Sequence, residues 1–153
     1  MKTSKRLEEM NACGDAVDWV GRRGIMTAWR DCNRADWMIW VSGKLNIDKK
    51  LIVLAACDCA ETALKYVPKG EDRPAKAIRT ARNWCNSTAT KQECRAAATY
   101  AASAAAAAAA TYAAAATYAA ATYAAKQSTQ KLCADLVRKR IPFNLIKEAW
   151  NEG

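Results

Sequence analysis

Residues 96–125 read AAATYAASAAAAAAATYAAAATYAAATYAA, thirty consecutive positions without a charge: twenty-one Ala, four Thr, four Tyr and one Ser. Each Thr directly precedes a Tyr, at Thr99-Tyr100, Thr111-Tyr112, Thr117-Tyr118 and Thr122-Tyr123. Alanine loses no side-chain entropy on entering a helix and has no polar side-chain group to bury, so its helix propensity is the highest of all residues. Neither Gly nor Pro interrupts the run, and the tract is expected to be helical. Thr90-x-x-Glu93 has the form of a capping box and would open this helix, placing it at about 91–125.

Three uses of such a tract compete. An ice-binding face would repeat Thr every eleven residues; Thr111 and Thr122 fit, but Thr99 and Thr117 lie roughly 120–140° away around the helix. A membrane span needs about 20 predominantly apolar residues, yet Leu, Ile, Val, Phe and Met are absent from 96–125. No integral span is expected. The favoured reading is a close-packed core helix, whose small side chains let neighbouring backbones approach while each Tyr buries its ring and keeps its hydroxyl wet. One helix from Arg95 to Arg140 would run about 69 Å, whereas a compact chain of this size is about 40 Å across. A break is therefore expected around Lys126-Gln127-Ser128-Thr129, with C-terminal helices at about 129–151 divided at Ile141-Pro142.

Helical periods and caps recur upstream, without strand-like alternation. A first helix over about 4–20 ends at Gly21-Arg22-Arg23-Gly24, and Thr27 is placed to cap a short turn carrying Trp29, Arg30 and Cys32. Asn33 starts a helix that carries Trp37, Ile39, Trp40 and Val41 and stops near Ser42-Gly43, with Asp36 set against its free amides. Asp48 caps a helix from Lys49 to about Val67, whose Leu51–Cys57 run is apolar all round and marks a buried central helix. Asp72-Arg73-Pro74 starts another, ending near Cys85, because Pro is tolerated where the amide has no partner anyway. The chain is read as one all-α domain over 1–153: a helical bundle with a long Ala/Tyr-rich helix.

Lys and Arg outnumber Asp and Glu by 24 to 15, a net charge of +9 that favours acidic or anionic partners. The absence of His removes Ser-His-Asp, Cys-His and His-metal chemistry. Seven Cys, with no apolar leader after Met1, fit reduced buried thiols in a cytoplasmic protein. Cys57 and Cys59 form the one close pair and are the minor alternative for a metal site; no cofactor is expected.

The densest mixture of charge and indole runs from Arg30 to Trp40. Arg30, Arg34, Asp36, Trp37 and Trp40 are candidate partner-binding residues, since Arg and Trp combine contact area with directed hydrogen bonds. The plainer alternative is a helix start capped by Asp36, with Trp37 and Trp40 filling the core. Asp58 follows an apolar run and must be paired or protonated; Arg79 and Arg82 are its expected partners, and a structural ion pair is favoured over catalysis. Lys76, Arg79, Arg82 and Arg138-Lys139-Arg140 are candidate phosphate-binding groups or simply a solvated basic flank. No nucleic-acid motif accompanies them, so nucleic acid is not the expected partner.

Ala12-Cys13-Gly14-Asp15-Ala16-Val17-Asp18-Trp19-Val20, Ala28-Trp29-Arg30-Asp31-Cys32 and Asp36-Trp37-Met38-Ile39-Trp40 together resemble the Imm5-type immunity proteins. The resemblance continues through Leu51-Ile52-Val53-Leu54-Ala55-Ala56-Cys57-Asp58-Cys59-Ala60, Arg73-Pro74 and the Ala/Tyr tract to Cys133-Ala134-Asp135-Leu136-Val137-Arg138. It covers about residues 11–143 and implies an all-α protein of bacterial toxin conflict, also carried by phages, that neutralises by binding and not by turnover. Two functions follow as expectations. One is a non-enzymatic antagonist that binds an acidic toxin or defence effector through its Arg/Trp surface. The other is a sponge that sequesters a small anionic nucleotide in a basic, aromatic pocket between helices. The oligomeric state is left open.

Overall fold

The computed structural model describes residues 2–93 and 119–152, and every regular element among them is helical. Residues 94–118, the larger part of the alanine tract, lie outside the described residues, and so does the expected core packing of that tract. The elements are α1 (Thr3–Glu9), α2 (Gly14–Val20), α3 (Ile25–Asp31), α4 (Ala35–Lys44), α5 (Lys49–Glu61), a 3-10 turn (Leu64–Tyr66), α6 (Arg73–Cys85), α7 (Ala119–Arg140) and α8 (Phe143–Glu152). The expected all-α class is correct.

Several boundaries differ from expectation for local reasons. The segment expected as one helix over 4–20 is two, because Asn11 takes φ +64° and turns the chain. The amides of Asn11 and Ala12 donate back to the carbonyls of Glu8 and Leu7 at 2.9 Å each, a left-handed close that satisfies the end of α1. At the far end of α2, Gly21 takes φ +50° and donates to the Val17 carbonyl at 2.9 Å. Thr27 caps nothing; it lies within α3, which begins after Gly24. The helix expected from Asn33 is preceded by Arg34 as its cap residue and runs on to Lys44. The Asp48 carboxylate accepts from the Lys50 amide at 2.9 Å, as a cap should. Helix α5 nevertheless stops at Glu61, short of Val67, where the chain tightens into the 3-10 turn.

Helix α6 starts where expected, but with a different cap. The Asp72 side chain makes no capping bond, and Glu71 accepts from the Arg73 amide at 3.0 Å. The Thr90–Glu93 capping box is present, with reciprocal bonds of 2.6 and 3.2 Å opening a helical turn at 91–93. The expected break at Lys126–Thr129 does not occur; α7 passes through it uninterrupted. Lys, Gln, Ser and Thr each cost at most about 0.7 kcal/mol relative to Ala in a helix, far less than a Pro. The division at Ile141-Pro142 is real, and α8 follows it.

Helix α5 is the hub, packing against α4, α6 and α7, while α7 also lies on α4, α3 on α8, and α1 on α2. Being central does not bury α5 all round: Ala55 and Cys57 are buried, Leu51 to Leu54 are half-buried, and Ala56 is exposed. One apolar core joins both halves of the chain, from Leu7, Trp29, Met38 and Val41 to Val137, Ile141 and Ile146. Within it Ser42 is fully buried and donates to the Met38 carbonyl at 2.7 Å, so its hydroxyl is satisfied inside α4.

Candidate functional site

Arg34 stands immediately before α4, and its side chain folds forward along the helix start. Its Nε and Nη2 reach the Asp36 carboxylate at 2.8 and 2.6 Å, a two-point charge-assisted contact. The same guanidinium lies 4.4 Å from the Trp37 ring centroid. Trp37 meets Trp19 of α2 with ring centroids 6.1 Å apart and planes tilted by 58°. Arg23, in the loop after α2, lies 4.9 Å from the Trp19 ring and donates to the Trp19 carbonyl. Two touching indoles are therefore each matched to an arginine, a geometry that rewards both ring and cation. Arg34 holds the Asp36 carboxyl below its ordinary range, against a smaller opposing effect of partial burial.

Of the five candidates between Arg30 and Trp40, the structure joins three into one unit: Arg34, Asp36 and Trp37. Trp40 is half-buried one turn further along α4 with the Lys44 ammonium 5.5 Å from its ring. Arg30 is exposed on α3 and pairs with its neighbour Asp31 at 2.7 Å. Asp31 in turn raises the arginine's pKa. The contributions of Trp19 and Arg23 were not anticipated. Their signal was the spacing of aromatic and basic residues across two short helices, visible only once the turn at Asn11 and Gly21 is known.

Of the other three candidates, Asp58 and Arg82 belong to a different constellation. Asp58 of α5 is 12% exposed and receives Arg82 of α6 at 2.8 Å and Arg140 of α7 at 2.6 Å. Arg140 first, then Arg82, hold its carboxyl below the ordinary value, more than offsetting desolvation. Arg82 also reaches Glu61 at 2.9 Å. Arg82 was one of the expected partners; Arg79 is exposed and takes no part in this cluster. Arg140 replaces it from a position 82 residues away. The expectation that Arg138-Lys139-Arg140 forms a solvated or phosphate-binding run is corrected for its two arginines. Arg138 donates to the Trp29 carbonyl at 3.0 Å and to the Cys32 carbonyl, closing the C-terminal end of α3, and pairs with Asp135 at 2.8 Å.

The close cysteine pair is divided by its helix. Residues two apart lie about 200° around an α-helix, and Cys57 Sγ donates to the Ile78 carbonyl at 3.8 Å while Cys59 Sγ donates to the Cys133 carbonyl at 3.5 Å. Burial, reinforced by Cys133, pushes the Cys59 thiol up to about 12, which keeps it protonated and a poor nucleophile or metal ligand near neutrality. Among the described residues no group of three or more His, Cys, Asp or Glu is arranged to hold a metal ion. No helix among them is long and apolar enough to cross a membrane.

Comparison with protein families matches residues 45–133 to the family described as "Imm-5 like putative immunity protein". No curated protein and no solved structure matches the chain.

Proposed function

Because this chain belongs to the Imm-5 like immunity family, we propose that it neutralises a toxin by binding it, through the face built from Trp19, Arg23, Arg34 and Trp37. The observation that carries this reading is the tilted Trp19–Trp37 pair with an arginine set against each ring. Aromatic and arginine side chains dominate the energetics of protein interfaces, and these are held in place by contacts within the protein before any partner arrives. The net charge of +9 speeds encounter with an acidic partner surface. No covalent step is required of such an antagonist, and we assign it no turnover.

The nucleotide-sponge reading has weaker support. Arg34 and Arg82 are already engaged by Asp36 and Asp58. The cavity lined by the tryptophans measures about 60 Å³, less than the ~150 Å³ of a cavity that accepts benzene. A nucleobase is larger still.

The test is growth of bacteria that produce a toxin domain against which this chain protects them. Arg34→Ala with Trp37→Ala should abolish protection without lowering the amount of folded protein, whereas Arg79→Ala should protect fully. Full protection by the double variant would overturn the assignment of this face.

A further inference from the structure

Of the two cysteines on α5, Cys59 meets a residue of its own kind. Cys59 Sγ donates to the Cys133 carbonyl of α7 at 3.5 Å, and Cys133 Sγ returns the contact to the Cys59 carbonyl at 4.0 Å. Each sulfur lies over the other residue's backbone, so the two thiols sit side by side across the α5–α7 interface. Thr62 completes the group: its hydroxyl donates to the Cys59 carbonyl at 2.7 Å and stands 3.8 Å from Cys133 Sγ. The neighbouring positions explain the closeness. Ala55, one turn before Cys59, and Ala134, next to Cys133, are both fully buried. Side chains this small let helix axes approach to the short end of the usual range of roughly 8–10 Å. Residues that face each other across such a contact fall in the roughly 4.4–6.8 Å Cα separation that a disulfide spans. Both cysteines keep part of their surface open to solvent, unlike the buried Cys32, Cys57 and Cys85.

We propose that Cys59 and Cys133 form a thiol pair that closes to a disulfide by exchange with a small disulfide of the glutathione class, stapling α5 to α7. Cys133 attacks first, because the Cys59 thiol, pushed up to about 12, supplies almost no thiolate near neutrality. The Cys133 thiolate bonds to one sulfur of the small disulfide and expels the other as a thiolate, which takes up the proton that Cys133 lost. The mixed disulfide removes the Cys133 thiol that had reinforced the high pKa of Cys59. Cys59 then attacks Cys133 Sγ within the chain, gives up its proton and releases the second small thiol. Two protein thiols are oxidised, one small disulfide is reduced to two thiols, and both protons leave with them. The bond closes a loop over residues 60–132, which include α6 and the whole alanine tract. Restricting so long a loop in the unfolded chain stabilises the folded one. The pair is independent of the toxin-binding reading, since neither cysteine belongs to the Trp19–Trp37 face.

The test equilibrates the folded full chain with a large excess of oxidised over reduced glutathione, blocks the remaining thiols, and maps the product by mass spectrometry. A monomer lighter by two hydrogen atoms should form, with the Cys59 and Cys133 peptides joined, and reduced glutathione should reverse it. Its thermal midpoint should rise by about 10 °C over that of the reduced chain. Cys59→Ser should stop at a glutathione adduct on Cys133, whereas Cys133→Ser should acquire none at Cys59. The native chain decides the pairing by itself if either variant fails to fold. Cys59 and Cys133 thiols that both stay reduced overturn the proposal, as does a bond mapped to another pair such as Cys57–Cys85. Glutathione retained on Cys133 of the native chain, an adduct on Cys59 in Cys133→Ser, or a joined pair without a rise in midpoint also overturns it.

Discussion

Asp58 illustrates how one residue joins elements distant in sequence. Its carboxylate takes Arg82 from α6 and Arg140 from α7, and at 12% exposure it is shielded enough for these contacts to matter. Asp58→Asn keeps the shape but removes the charge, and should cost about 2 kcal/mol, the scale of hydrogen bonds to charged groups. The pH dependence has a definite sign. The folded carboxyl titrates below its ordinary value of 3.8, so its stabilisation is fully present above that value and is lost as pH falls through the lower, folded-state value. Acid denaturation followed by circular dichroism should therefore be shallower below pH ~4 in the Asn variant. An unchanged acid limb would show that the two arginines add nothing to stability. The need for a partner was legible in the sequence, because an acid after seven apolar residues must be matched. Arg140 was not legible, since only the docking of α7 on α5 brings it there.

At the scale of the elements, local chemistry was legible where both partners of a contact lie within a few residues. Asp48 caps α5 and the Thr90–Glu93 box forms because both act within three residues. Helix α7 passes unbroken through Lys126–Thr129 because those residues include no helix breaker, and the compactness of the chain does not interrupt it. Helix α3 shows the opposite dependence. It has seven residues, too few to persist alone, and its end is closed by Arg138 from α7. Arg138→Met keeps much of the stem but removes the donors. It should destabilise the chain by about 1–2 kcal/mol and increase hydrogen exchange in α3 before α5. Exchange protection of α3 equal to that of the native chain would contradict this role. The candidate face was half legible for the same reason: Arg34, Asp36 and Trp37 are neighbours in sequence, whereas Trp19 and Arg23 reach them only through two turns.

For the whole molecule, the proposed mode of action is association with an acidic protein surface, a reading supported by the charge surplus and the Trp/Arg face. The two constellations divide the work: Asp58, Arg82 and Arg140 hold α5, α6 and α7 together, while Trp19, Arg23, Arg34 and Trp37 present a pre-arranged surface from α2 and α4. Such an association should slow markedly with added salt, because steering between charged surfaces is screened over about 10 Å at 0.1 M. The most direct measurement is calorimetric titration of the full chain with a purified toxin domain against which it protects cells, at low and high salt. A saturable complex of fixed stoichiometry is expected, weakening with salt and lost when Arg34 and Trp37 are both replaced by Ala. Protection of cells without any measurable complex, or a complex indifferent to that replacement, would contradict it.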